Sequence, residues 1–236
     1  MKKIFLFLII ALTINVSNAQ EHEVYYDSGK LKGSGQNDSN DSRTGEWKFY
    51  HENGQLLGIG IYENGIQTGE WKFYRENGQL DLIGMYKDGF QTGKWKSYHE
   101  NGKVKSIGMY EDGKANGEWK NYHENGKVKS IGMYEDGKIT GEWKYYLENG
   151  QLQQIGKYEN GNANGEWKIY HENGELYQIR LWKAGKFMDV IICLDREGNK
   201  LNKGTLVNGN GTVNKYSSSG ELISTDTYLK GVKQKE

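Results

Sequence analysis

His51, His99, His123 and His171 occupy one position of a 24-residue repeat, and a ladder of imidazoles is the first arrangement in this chain that could do chemistry. If each repeat contributes two strands, equivalent residues stand about 10 Å apart. Zinc needs its ligands within about 2.1 Å of one centre, so the expectation is solvent-exposed strand ends and no metal. The run Asn37-Asp38-Ser39-Asn40-Asp41-Ser42 offers oxygen ligands for calcium. It lacks the glycine and bidentate glutamate of an EF-hand loop and reads as a disordered polar link. Gly58-Ile59-Gly60 and Gly209-Asn210-Gly211 are not phosphate loops, because no helix is expected to follow them. Asp189, Cys193 and Asp195 are the only foothold for an enzyme, since acids such as Glu52 recur in every unit and an active site needs one shielded constellation. Cys193 is the sole cysteine and is expected to be a buried, inert thiol. No catalytic residue, cofactor or metal site is expected, and the chain reads as a non-enzyme.

The elements that would position these groups are set by six tryptophans, Trp47, Trp71, Trp95, Trp119, Trp143 and Trp167, which fall once in every repeat at a constant interval. A fixed period of this size marks an array of small units that bury their apolar faces against one another. Within one unit, Gly45 to His51 alternates and is aromatic-rich, as a strand requires. Asn53-Gly54 follows, then a second apolar run from Gln55 to Tyr62, then Asn64-Gly65. Asn-Gly is a strong hairpin signal, because both residues tolerate positive φ. The same turn recurs at Asn77-Gly78, Asn101-Gly102, Asn125-Gly126, Asn149-Gly150 and Asn173-Gly174. The expected fold is therefore all-β: an elongated, twisted, single antiparallel sheet of tandem 24-residue hairpins. Counting degenerate units gives eight hairpins, or about sixteen strands over roughly 75 Å.

Register admits two solutions. A two-residue Asn-Gly turn pairs Trp47 with Gly60. A three-residue Glu-Asn-Gly loop with a glycine bulge pairs Trp47 with Ile59 and Phe49 with Leu57. Matched polarity favours the second (Ser97 would face Lys105, and Asn121 would face Lys129), although Phe73 against Asp81 does not fit. A slip of one residue moves side chains to the other face.

Residues 1–19 read as a signal peptide: Lys2 and Lys3, an apolar run Ile4 to Ala11, and the small-x-small site Ser17-Asn18-Ala19. The run is too short to span a bilayer, and no integral membrane segment is expected after cleavage, so export to a periplasm, cell surface or medium follows. Residues 20–43 form a half-repeat (Tyr25, Gly29, Leu31) and a polar loop, 44–185 six regular hairpins, and 186–236 two degenerate units acting as a cap. Ile191 stands at the tryptophan position there, with Gly198, Gly209, Gly220 and Gly231 at turns. Without Lys2 and Lys3, 29 basic residues face 31 acidic ones, a balance that argues against nucleic acid or an anionic membrane as target.

The frame Tyr-x-(Asn/Asp)-Gly-x-x-x-Gly-x-Trp-x-x-Tyr-x-x-Asn-Gly, as at Tyr86 to Gly102, resembles the MORN repeat in its bacterial variant form. The resemblance covers residues 44–185 and, more weakly, 186–236. Gly69-Glu70-Trp71 stands where eukaryotic repeats carry Gly-x-Gly, which weakens any transfer of lipid binding. What the resemblance implies is one sheet of hairpins with an interaction role; some bacterial relatives are labelled antitoxin components. The candidate partner surface is the tryptophan set named above together with Tyr50, Tyr74, Tyr98, Tyr122, Tyr146 and Tyr170, which are also read as sheet core. A protein partner is the leading expectation. The alternatives are a glycan or cell-wall ligand stacked on the aromatics, or an immunity role against an exported toxin. An exposed edge at Tyr25 or Tyr228 could pair between copies.

Overall fold

The computed structural model describes residues 20–235; the segment read as a signal peptide lies outside them. β1 (Gln20–Tyr25), β2 (Leu31–Asn37), β3 (Arg43–Tyr50), β4 (Leu56–Glu63) and β5 (Ile66–Tyr74) begin a meander. It repeats once per sequence unit through β6 (Leu80–Lys87) to β13 (Asn162–Tyr170), β14 (Leu176–Lys183) and β15 (Lys186–Cys193). All fifteen strands pair in chain order in one open antiparallel sheet that does not close into a barrel.

Two turns alternate. In the first, Gly54 N–H donates to His51 C=O at 2.9 Å and His51 N–H to Gln55 C=O at 2.8 Å, leaving the three-residue loop Glu52-Asn53-Gly54. Gly54 sits at φ 85°, where a Cβ would clash with its own carbonyl. In the second, Asn64 (φ 50°) and Gly65 (φ 77°) form a two-residue turn whose twist matches that of the flanking strands. Gly65 N–H then reaches back to Arg43 C=O at 2.8 Å and stitches one hairpin to the one before.

The loop has the three-residue form, yet the register is that of the other solution: Trp47 pairs with Gly60, Lys48 with Ile59 and Phe49 with Gly58. An extra residue, Leu57, is inserted between the partners of Phe49 and Tyr50, and this bulge moves the register by one. Polarity matching holds one residue further along. Ser97 pairs with Ser106 and bonds it at 2.6 Å, Asn121 bonds Ser130 at 2.9 Å, and Phe73 meets Leu82 in place of Asp81.

Sterics explain why this register wins. A Cβ on Gly60 would lie 2.2 Å from Trp71 Cδ2, and one on Gly84, Gly108, Gly132 or Gly156 would lie within 2.2 Å of the next tryptophan. Each indole lies flat over a glycine of the preceding strand, so only a register that brings glycine under the ring can close.

The meander stops at β15. Residues 194–210 make only isolated bridges, and β16 (Gly211–Tyr216), β17 (Leu222–Leu229) and β18 (Val232–Lys233) form a second, three-stranded sheet. The expected sixteen-strand run is thus corrected. Leu206, 1% exposed, is drawn into a core with Phe187, Val190, Cys193 and Val213 instead of continuing the ladder. Phe187 N–H to Gly231 C=O and Gly209 N–H to Met188 C=O tie this cap to β15. The polar loop after β2 is likewise an ordered turn, not a disordered link. Asp38 Oδ1 accepts from Asn40 and Ser42 N–H, and Asn37 Nδ2 donates to Asp41 Oδ1 at 2.8 Å.

Candidate functional site

The tryptophans and a second tyrosine row build one closed face. Edge-to-face contacts run Trp47, Tyr62, Trp71, Tyr86, Trp95, Tyr110, Trp119, Tyr134, Trp143, Tyr158, Trp167, with centroids 5.0–6.3 Å apart, the arrangement that ring quadrupoles favour. Each indole N–H donates to a main-chain carbonyl, as Trp143 does to Met133 at 3.2 Å. Trp119 is half-buried and the other five are 5% exposed or less. Burial raises the pKa of Tyr86 and Tyr134, and that of Tyr145 further, where a bond to Tyr158 adds to it.

Tyr50, Tyr74, Tyr98, Tyr122, Tyr146 and Tyr170 are half-buried and take no part in this ring ladder. Strand alternation places Tyr50 with Lys48 on the opposite face, paired with Leu56. The lysine ladder on that face is largely neutralised in place: Lys48, Lys72, Lys120 and Lys144 pair with the glutamate two residues before, at 2.8–3.3 Å. Ile61, Met85, Met109 and Met133 form an exposed row there, 41–44% accessible. The structure therefore puts the two halves of the candidate surface on different faces.

The histidines do not converge on one point: among the described residues no group of His, Cys, Asp and Glu is placed to hold a metal. They do not simply face solvent either. Nε2 of His51, His99 and His123 lies 2.9 Å from the carbonyl of Tyr74, Tyr122 and Tyr146, and His171 lies 3.0 Å from that of Leu194. A carbonyl only accepts, so Nε2 carries the proton. Tyr26 and Arg75 make the equivalent bond in their units. At Leu147 the ladder has a gap, since a leucine has no donor. The turn amides follow a different pattern: Asn53, Asn101 and Asn125 bond the next turn's backbone, whereas Asn77 and Asn149 bond the glutamine two residues on, in their own loops.

Asp189, Cys193 and Asp195 are each engaged with separate partners. Cys193 is buried with its pKa raised by desolvation, and accepts from Gln178 Nε2 at 3.3 Å. Asp189 pairs with Lys203 at 3.0 Å, and Asp195 caps its own turn.

Sequence reasoning missed the end of the ladder. Arg180 stands one period after Gly156, at a glycine seat, and Ile191 stands where the indole for that seat would be. The paired replacement was the available signal.

An open antiparallel sheet of tandem Gly-x-Trp hairpins, with each indole seated on a glycine, defines a repeat protein whose units share one continuous core. The MORN repeat variant family matches residues 43–64, 67–88, 91–112, 115–136, 139–160 and 163–184, and the chain belongs to that family. No curated protein matches it. Among solved structures, similarity is found to a chain of the TcdB2–TccC3–Cdc42 complex (15% identity, 90% of this chain, TM-score 0.22). Similarity is also found to one of the Photorhabdus luminescens Tc holotoxin pore (16% identity, 89% of this chain, TM-score 0.22). The chain spans 12% of the length of each, and likeness at this level carries no argument. Among the described residues no helix is long and apolar enough to cross a membrane.

Proposed function

We propose that the protein is an exported, non-enzymatic repeat scaffold that binds a protein partner through the face opposite its tryptophans. The observation that carries this is the exposed row Ile61, Met85, Met109 and Met133, spaced about 10 Å apart by the two strands per unit. Exposed apolar rows rimmed by charge mark interaction surfaces, and unbranched thioethers adapt to a partner's shape. Five of the six repeat indoles on which a sugar would stack are 5% exposed or less. Export rests on Lys2, Lys3, the run Ile4 to Ala11 and Ser17-Asn18-Ala19.

The test is affinity capture from the native cell envelope, comparing the mature chain with a Met85→Asp, Met109→Asp, Met133→Asp variant of unchanged circular dichroism. A protein retained stoichiometrically by the first and lost by the second supports the proposal. No retained protein, or equal retention by both, overturns it.

A further inference from the structure

The aromatic ladder ends unfinished, and its end is a cleft. Trp71, Trp95, Trp119 and Trp143 each have a tyrosine edge on both sides. Trp167 has such an edge only from Tyr158, with Tyr145 tilted beside it on the same, preceding side. The residue that should close its other side, Trp182, stacks instead on Phe187 of the cap at 5.0 Å and an interplanar angle of 20°. What remains is a cavity of about 200 Å³ lined chiefly by Trp167, Tyr158, Trp182, Ile169, Gln154 and Arg180.

Arg180 is the only charged residue in that lining. Its one side-chain hydrogen bond among the described residues runs from Nε to Gln178 Oε1 at 2.8 Å, which leaves both terminal nitrogens without a protein acceptor. The guanidinium carbon lies 5.7 Å from the Phe187 ring centroid. Burial lowers its pKa, and the groups that oppose the shift are Tyr177, Tyr228 and Cys193, none of them a carboxylate. A half-buried guanidinium with a free fork of donors and no counter-charge is the arrangement that planar bidentate recognition of a carboxylate needs.

We propose that this cleft is a carboxylate-binding site: Arg180 takes the carboxylate and the rings of Trp167 and Trp182 enclose the short apolar stem that carries it. The volume selects the ligand's size. Drug- and cofactor-sized sites run from about 300 to 1,000 Å³, so this one holds a single side chain or chain end, not a nucleotide or an oligosaccharide. An acidic side chain or C-terminus of a protein partner is the source. That assignment rests on the scaffold reading, whereas the carboxylate chemistry does not. The site breaks the repeat symmetry and lies where the regular array meets the cap, on the tryptophan face, so it is separate from the methionine row on the other side of the sheet.

The experiment is a titration of the indole Nε1–H resonances of the full mature chain with 3-phenylpropionate and, in parallel, its neutral amide. Saturable shifts confined to the Trp167 and Trp182 signals are expected with the acid. At least tenfold weaker binding is expected with the amide, and with Arg180→Met against the acid. Equal binding of acid and amide overturns the proposal without any variant, as does unchanged affinity in a folded Arg180→Met chain. Arg180→Lys keeps the charge but not the fork, and its affinity is expected between the two. N-acetyl-glutamate amide and N-acetyl-phenylalanine then separate a side-chain source from a chain terminus. Small acids report on the cleft whether or not the methionine face captures a partner, so the two proposals fail separately.

Discussion

Replacing Gly132 with alanine separates two explanations for the glycine that lies beneath each tryptophan on the preceding strand. Gly132 is not among the left-handed positions, so on backbone grounds alanine would be neutral, or stabilising by about 0.4–1 kcal/mol through the unfolded state. The ring contact predicts the opposite sign. The new Cβ would stand 2.2 Å from Trp143 Cδ2, and ordinary carbon contacts need about 3.5–4.0 Å, so the indole must lift by well over an ångström. Trp143 is 3% exposed. A tryptophan buries about 150–250 Å², which is about 4–6 kcal/mol at about 25 cal/mol per Å². Losing half of that, and the indole bond to Met133, gives a penalty of about 3 kcal/mol. Urea unfolding followed by far-UV circular dichroism reads the loss, and the Trp143 Nε1–H resonance reads its cause. Gly141→Ala is the control: its glycine sits at φ 64° with nothing within 4 Å of a built Cβ, so strain of about 1–2 kcal/mol is expected without movement of that resonance. A neutral or stabilised Gly132→Ala chain would refute the seat.

Leu147→His supplies the missing inter-hairpin donor and is expected to stabilise by about 0.5–1.5 kcal/mol, read as slower amide exchange across β11 (Lys138–Tyr146) to β13; unchanged exchange would count against the staple. Leu206→Ala empties the cap core and should cost about 2–5 kcal/mol, with near-ultraviolet dichroism and thermal unfolding as readouts. Asp226 is 7% exposed by side chain between Lys215 and Lys233, whose bonds hold its carboxyl below the usual carboxylate range. A lowered folded pKa stabilises above the unfolded value of about 3.9 and is lost as pH falls through the folded one. Asp226→Asn should therefore cost about 1.5–3 kcal/mol at pH 7, and the gap to wild type should close under acid; a pH-independent gap would sink the argument.

The hairpin array was legible because period, Asn-Gly turns and strand alternation all recur and agree. Register was not, because a bulge at Leu57 leaves no mark in a strand that alternates well either way. What decides it is a contact between Gly60 and Trp71, in different units, and pairing polarity within one unit cannot see it. The role of the histidine ladder is hidden for a related reason. Its partner is a backbone carbonyl of the next hairpin, and backbone atoms carry no sequence signature. The cap shares every turn glycine with the regular units, yet its middle strand is absent: once Ile191 replaces the indole, Val190 and Leu206 can fill that space together.

The same contacts that make the array stable dictate where it can bind. An indole seated on glycine, edged by two tyrosines and bonded through its own N–H has little surface left to offer, and Trp71, Trp95 and Trp143, so held, are 3% exposed or less. On the opposite face Ile61 and the methionines stay open, which is why the proposed interaction is placed there. Periodicity carries a cost in specificity, because a partner bound to identical units could slip by one whole repeat with little loss. Residues 99–114 and 123–138 are identical, so neither face distinguishes those two positions locally. The ladder's terminus, where Arg180 has displaced a glycine and Trp182 has turned to the cap, is a single asymmetric feature. Because Arg180 pairs across from Trp167 it lies on the tryptophan face, so it would remove the degeneracy only for a partner that reaches round to that face.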